Sequence, residues 1–422
     1  GLHQLERCPG TLGRMASRPL PTGSEPLPPH LDPRGRHRTG RPWRQGLTRM
    51  TLSVLTVLSL GLLVAAGYAW YTYRDINNGV PRLNVAVNAP PSGKKDIDGK
   101  DQNILLVGND DRSNLTDAEV AALHVGRDGG SMSTDTMMIV HVPADGSRAT
   151  LISLPRDSYV DIPGYGKNKL NAAYVFGYDN AGGTPDEKRT AGADLLISTI
   201  QDLTGLTVNH YVQVSLMGFY DISNAIGGVS VNLCKAVDDS TAANEAAGLD
   251  GGSGLVLSAG KHTIQGVQAL EFVRQRHFLP NGDLDRVRRQ QYFLTAAFRK
   301  VASVGIVFKL NALGDAVKRN IYMDPGLDLT GLANQMSNLS ANNIVSKTIP
   351  FERFDDDTPV GSVEIVDPAK VQAFVDDLIN PPASRPSSPG PASRSATTPT
   401  SPAQATASGS ASSAPIDAQC IN

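Results

Sequence analysis

No residue from Thr51 to Tyr73 carries a formal charge, and this run of 23 residues, centred on LSVLTVLSLGLLVAAGYAWY, constrains the chain more than any other feature. Wound as a helix at about 1.5 Å per residue, it is long enough to cross a hydrocarbon core of about 30 Å. Trp70, Tyr71 and Tyr73 stand at its far end, where interfacial aromatic side chains belong. Before it come nine arginines (Arg7, Arg14, Arg18, Arg34, Arg36, Arg38, Arg41, Arg44 and Arg49) against Glu6, Glu25 and Asp32. That bias predicts a single-pass cell-membrane protein with its N-terminus in the cytoplasm and everything beyond Tyr73 outside it. A cleaved signal sequence is the alternative, but its apolar region is shorter, about 7–15 residues, and its leader far shorter than this one.

The rest of the chain divides by composition. Residues 1–49 are too polar and proline-broken to fold alone and read as a basic cytoplasmic tail; 50–73 is the membrane helix; 74–100, with Pro81, Pro90 and Pro91, reads as a stalk. Residues 101–380 hold enough apolar sequence for one extracytoplasmic domain, and 381–422 are a Pro, Ser, Ala and Thr tail that cannot bury a core. The outer domain has no excess of basic over acidic residues and no interleaved aromatic platform, which argues against nucleic acid as its partner. Cys8, Cys234 and Cys420 show no metal-ligand spacing. A Cys234–Cys420 disulfide is open to the oxidising side, the alternative being a buried thiol and a free terminal one.

Within the domain, apolar β-branched runs at Ile104–Val107, Met137–Val142, Thr150–Leu154 and Val229–Leu233 predict buried strands. Helical spacing appears at 191–203, 216–226, 266–274, 286–304 and 368–379. The alternation predicts an α/β fold, a layered α-β-α domain with a central mixed sheet, preceded by one transmembrane helix.

Charged groups cluster at the ends of these elements. Asp110, Asp111 and Arg112 follow the first strand, although a solvated turn built from Gly108, Asn109 and Asp110 is an equal reading. Asp135 lies at the start of the second strand, Arg156 and Asp157 after the third, and Lys167, Lys169 and Asn171 beyond. Two strand-end carboxylates suit a hard cation beside phosphate oxygens, and caps are the competing reading. Arg274 and Arg276, two apart, share a face if the segment is extended, and should face one cavity with Arg286. Asp283 and Asp285 precede Arg286, Arg289 and Gln290 at a helix start, where arginine opposes the helix dipole unless an anion is bound. Planar guanidinium forks fit a diphosphate. There is no Gly-x-Ser-x-Gly, Walker or HExxH motif, and His141, His210, His262 and His277 read as packing or surface residues.

In order along the chain, NILLVGNDDR, DTMMIVHV, SLPRDSYVDIPG, KLNAAY, HYVQVSLMGFYDISNAIGGVSV, AGKHTIQGVQALEFVRQRH and GDLDRVRRQQ resemble the LytR-CpsA-Psr family of cell-wall glycopolymer ligases. The resemblance spans about Gln102 to Leu378. It implies a Mg²⁺-dependent phosphotransferase, with Mn²⁺ as the alternative ion, acting on a polyprenyl-diphosphate-linked glycan held with its lipid in an apolar tunnel, which the helix bearing Tyr292, Phe293 and Phe298 would partly form. A peptidoglycan hydroxyl displaces polyprenyl phosphate, and the glycopolymer would be teichoic-acid-, arabinogalactan- or capsule-like. Carried across, Asp110 and Asp135 are the metal-side carboxylates, with Asp110 the candidate base. Arg156, Lys169, Arg274, Arg276, Arg286 and Gln290 form the diphosphate set, Asp283 orients them, and Arg156 and Arg276 join the two carboxylates as the catalytic group. Where the family often has arginine two residues before the DT aspartate this chain has Ser133, and Arg112 is the residue that could compensate. An extracytoplasmic polyprenyl-diphosphate pyrophosphatase would use the same residues, and a membrane-bound regulator of the envelope is the non-enzymatic alternative.

Overall fold

The computed structural model describes residues 42–87, 101–112, 115–123, 125, 131–249, 251–280, 282–303, 318, 320–336, 339, 343–380 and 420–421. Most of the expected cytoplasmic tail, part of the stalk and nearly all of the C-terminal tail lie outside the described residues. Two compact units are distinguished, Gly1–Tyr68 and Ala69–Asn422.

The expected span falls within helix α1 (Pro42–Gly79), on which Val54, Leu58, Leu62 and Trp70 are exposed. Among the described residues no helix is long and apolar enough to cross a membrane; within the apolar run, the side chains of Thr51, Leu52, Ala65, Ala69, Thr72 and Tyr73 lie outside the description.

The second unit is a mixed α/β fold. Its elements are β1 (Gln102–Asp110), α2 (Asp117–Ala122), β2 (Ser131–Val142), β3 (Ala149–Leu154), β4 (Ser158–Ile162), β5 (Gly166–Lys169), α3 (Ala172–Asn180), α4 (Pro185–Thr204) and β6 (His210–Val214). They continue with α5 (Leu216–Ala225), β7 (Val229–Leu233), β8 (Val237–Asp238), α6 (Thr241–Ala246), β9 (Val256–Leu257), β10 (Gly260–Ile264), α7 (Gly266–Arg274) and α8 (Asp283–Ser303). Last come β11 (Ile321–Met323), α9 (Leu329–Gln335), β12 (Ile344–Thr348), β13 (Arg353–Asp355), β14 (Val363–Ile365) and α10 (Pro368–Ile379). The central sheet has the order β11-β6-β1-β2-β3-β12. β1 runs antiparallel to β2 and parallel to β6, while β12 is parallel to β3, so the sheet is mixed as the alternating sequence predicts.

Both faces of this sheet are covered. Leu105, Val107, Met137, Ile139 and Ile152 pack with Tyr174, Leu196, Ile197 and Val371 from α3, α4 and α10. Their neighbours Ile104, Met138, Val140 and Leu151 point the other way, into Leu294 and Phe298 of α8 and Leu332 of α9. The two-residue alternation of a strand thus serves two helical layers, which is why these strands read as continuous apolar runs. Each fully buried large aliphatic side chain contributes about 1.5–3 kcal/mol. α4 is delimited locally: Thr184 and Glu187 form a capping box, Pro185 occupies its first turn, and Gly205 closes it at φ 71°.

Beyond the central sheet, β7 pairs with β10, and α5, α7 and α8 enclose Val231, Phe272 and Phe293 with them. Cys234 and Cys420 form the disulfide that sequence left open. It pins Ile421 against the edge of β7, where Cys234 N donates to Ile421 O at 3.0 Å and Ile421 N to Asn232 O at 2.8 Å.

Candidate functional site

β1 and β6 run parallel, and ligand sites in such sheets form beyond the carboxyl ends of parallel strands. There, at Asp110 and Val214, the sheet opens onto a cavity of about 310 Å³. Its apolar wall is built by Phe219, Ile222 and Ile226 from the α5 region, Leu270 and Val273 of α7, and Phe293, Leu294, Ala297 and Phe298 of α8. α8 supplies the wall because positions 290, 293, 294, 297 and 298 follow the three-four spacing of one helical face. Tyr292, expected in this channel, falls on the adjoining face and packs in the β7–β10 core instead.

The polar part of the lining holds Asn109, Asp110, Asp135, Arg274 and Gln290. Asp110 closes β1, so of the two readings left open the solvated turn gives way to a strand end, with a bulge between Gly108 and Asp110. Arg112 folds back onto Asp110, its Nε donating to Oδ1 at 2.8 Å and its Nη2 to Oδ2. Across the sheet, Arg156 Nη1 donates to Asp135 Oδ1 at 2.7 Å. Arg156 Nε also meets Asp157 Oδ2 at 3.2 Å, and Lys169 Nζ stands 3.0 Å from Asp157 Oδ1. A small cleft lined by Arg156 shares Asp135, Thr136, Gln290 and Leu294 with the cavity, which places Arg156 beside it. Gln290 Nε2 donates to Val273 O at 3.2 Å, tying α8 to the end of α7.

Arg274 differs from these residues. It lines the cavity half-buried, with no hydrogen bond or ion pair to another described residue. Burial pushes its guanidinium below the usual arginine range; Asp110 and Asp135 oppose that shift, and Arg112 and Arg276 add to it. Those four groups are therefore within electrostatic reach of Arg274.

Two expectations need correction. Arg276 is exposed and Arg286 buried at 3%, and neither lines the cavity with Arg274. The segment is not extended through Arg274: α7 includes it, and the chain straightens only at Gln275. Arg274 has helical backbone and Gln275 does not, so the strand alternation that would put positions 274 and 276 on one face is absent. Asp283 starts α8, and its side chain lies outside the described residues.

Arg189 escaped the sequence reading of the site, and Arg289, read there as part of an anion-binding helix start, plays another part. Arg189 is buried, donates from Nη2 to Asp111 Oδ2 at 3.1 Å and lies over the Tyr322 ring, holding the turn after β1 to α4. Arg289 is fully buried over Phe272, with its Nη1 on Gln275 Oε1, and burial pulls it down to about 10 despite Asp285 and Asp239. It anchors the segment between Arg274 and Arg276, a role that the run Arg286, Arg288, Arg289 does not distinguish from charge display. Phe278 in the same loop adopts φ 60°, the one non-glycine residue with positive φ among the described residues.

A family model described as the LytR_cpsA_psr family matches residues 76–377. The chain belongs to that family. Among family relatives, the cell wall biosynthesis protein LcpA of Corynebacterium glutamicum is 36% identical over 350 residues, covering 78% of this chain and 65% of LcpA. This chain thus spans less than two thirds of LcpA's length. The polyisoprenyl-teichoic acid–peptidoglycan teichoic acid transferase TagU of Oceanobacillus iheyensis is 29% identical over 323 residues, 75% of this chain and 88% of its own. In fold, the domain is similar to protein gbs0355 of Streptococcus agalactiae, with a TM-score of 0.52 at 24% identity over 68% of this chain and 90% of that one.

Proposed function

We propose that this LytR_cpsA_psr protein is a membrane-anchored phosphotransferase that moves a glycopolymer from a polyprenyl-diphosphate carrier onto peptidoglycan outside the cell. One observation carries the reading: an apolar cavity whose polar end holds a half-buried guanidinium, Arg274, with no partner among the described residues. A half-buried cation that makes no direct ion pair is unfavourable even with Asp110 and Asp135 in reach, and an anion attached to a long apolar chain satisfies both the cation and the cavity. The name of the relative TagU, a polyisoprenyl-teichoic acid–peptidoglycan teichoic acid transferase, describes that kind of reaction.

In this reading the prenyl chain lies among Phe219, Ile222, Phe293 and Phe298, and the diphosphate meets Arg274, with Arg156 beside it. A hydroxyl of peptidoglycan attacks the glycan-side phosphorus, the bond to the bridging oxygen breaks, and polyprenyl phosphate leaves. Such transfer depends on positioning and on neutralising charge more than on covalent help from the protein. Both oxygens of Asp110 accept from Arg112, which weakens its candidacy as the base.

Asp110 and Asp135 are the carboxylates that would hold Mg²⁺. Among the described residues no group of three or more His, Cys, Asp or Glu side chains forms a metal site. Two carboxylates suit an ion that takes its remaining ligands from phosphate oxygens and water. When bound, such an ion would supply neutralisation of the diphosphate charge. α1, with its apolar run and the arginines before it, would anchor the protein.

The test is product analysis with the full chain, a polyprenyl-diphosphate-linked glycan and peptidoglycan fragments. A glycan–peptidoglycan phosphodiester formed together with polyprenyl phosphate is the expected result. Glycan phosphate released equally without acceptor would move the reading to a pyrophosphatase.

A further inference from the structure

Asn109 is 5% exposed, and neither its Oδ1 nor its Nδ2 has a hydrogen-bond partner among the described residues. It lines the cavity between Gly108 and Asp110. The pairing of β1 with β2 shifts register on both sides of it, Asn109 standing opposite Thr134 and Asp110 opposite Ser131. Bulges of this kind re-aim a side chain beside a site. A buried amide left unmatched costs more than an apolar group of the same shape, so its retention in a largely apolar wall calls for a ligand.

We infer that Asn109 recognises the first sugar of the lipid-linked glycan, through a hydroxyl or acetamido group. The inference rests on the transferase reading. An amide presents one donor group and one acceptor, and both are unmatched here. An ionised diphosphate offers acceptors only and would leave Oδ1 bare. A sugar hydroxyl or an acetamido group offers donor and acceptor together. Asn109 also adjoins Asp110, which acts on Arg274, so the amide sits beside the groups assigned to the diphosphate, where the first sugar must lie.

The experiment measures binding of two synthetic probes to the full chain in detergent: geranylgeranyl diphosphate, and the same lipid diphosphate esterified to N-acetylglucosamine. Asn109→Leu should weaken the sugar-bearing probe about tenfold or more, the scale of a hydrogen-bonded pair lost together with a polar group left bare, and leave the sugar-free probe unchanged. Its melting temperature should be equal to or above that of the parent, because an unmatched amide has been removed from the interior. Asn109→Thr, which keeps a hydroxyl on a β-branched frame suited to the strand, should lose less and serves if the leucine variant does not fold. Equal losses for both probes would assign the amide to the diphosphate and overturn the inference. So would unchanged binding with lowered stability, the signature of an amide satisfied by enclosed water. If the parent chain binds neither probe, the transferase reading itself falls, and this inference with it.

Discussion

Arg156 and Asp135 meet in the small cleft beside the cavity, Nη1 to Oδ1 at 2.7 Å, although 21 residues separate them in sequence. Arg156 also touches Asp157, which in turn holds Lys169, so cations and carboxylates alternate along the edge of the cavity. Arg156→Ala should lower transfer by about a hundredfold, the scale of removing one preorganised donor from developing charge. Its melting temperature should move little, since the pair is partly exposed and such pairs contribute about 0–1 kcal/mol. Steady-state rates beside a thermal melt decide this, and a large stability loss would make the residue structural.

Replacing Asp110 or Asp135 with Ala should remove most turnover and abolish the response to added Mg²⁺, while cooperative melting persists. Calorimetric titration of Mg²⁺ with and without a lipid diphosphate checks the binding step apart from catalysis. Activity that survives both variants and a chelator would refute metal use.

Arg274→Ala should weaken binding of a polyprenyl diphosphate by about 1.5–3 kcal/mol, the range for a charge-assisted hydrogen bond, with Arg274→Lys recovering part of it. Arg276→Ala should cost less, because Arg276 is exposed and does not line the cavity. Equal losses at the two positions, measured by direct lipid binding, would contradict the geometry described here.

His141 is buried in β2 with its Nδ1 2.9 Å from Asn103 Oδ1. Burial holds its pKa below the ordinary 6.5, Arg148 reinforcing and Asp101 opposing. The unfolded chain therefore binds the extra proton first as pH falls. Stability contributed by neutral His141 is present above about 6.5 and is lost as pH drops through the lower folded value. Melting temperatures measured between about pH 7.5 and 5.5 should fall toward acid, and His141→Gln should flatten that slope.

The Cys234–Cys420 link closes a separation of 186 residues and fixes Ile421 to the edge of β7. Breaking it should cost about 2–5 kcal/mol of stability. Cys234→Ser, Cys420→Ser and the double variant should melt alike, and reductant should lower only the parent to that level. Additive losses would mean that each sulfur contributes separately.

The apolar runs alone determined the alternating elements and the buried strands, because strand and helix periods are local properties of a sequence. Leu105 and Ile104 show why the mixed, doubly covered sheet was legible: adjacent apolar residues on a strand imply two buried faces. Charges at strand ends marked Asp110, Asp135 and Arg156 in the same local way, and the arginine-rich run before α8 marked Arg274. Tertiary structure decided which of them share a cavity. The extension of α7 through Arg274 turned Arg276 away, and the packing of α8 buried Arg286 and Arg289 in place of displaying them. It also enclosed Asn109, which in sequence reads as a turn residue, because only the bulge against β2 and the walls from α5, α7 and α8 remove its amide from water. Burial and partnership are properties of distant segments brought together, and no local pattern encodes them.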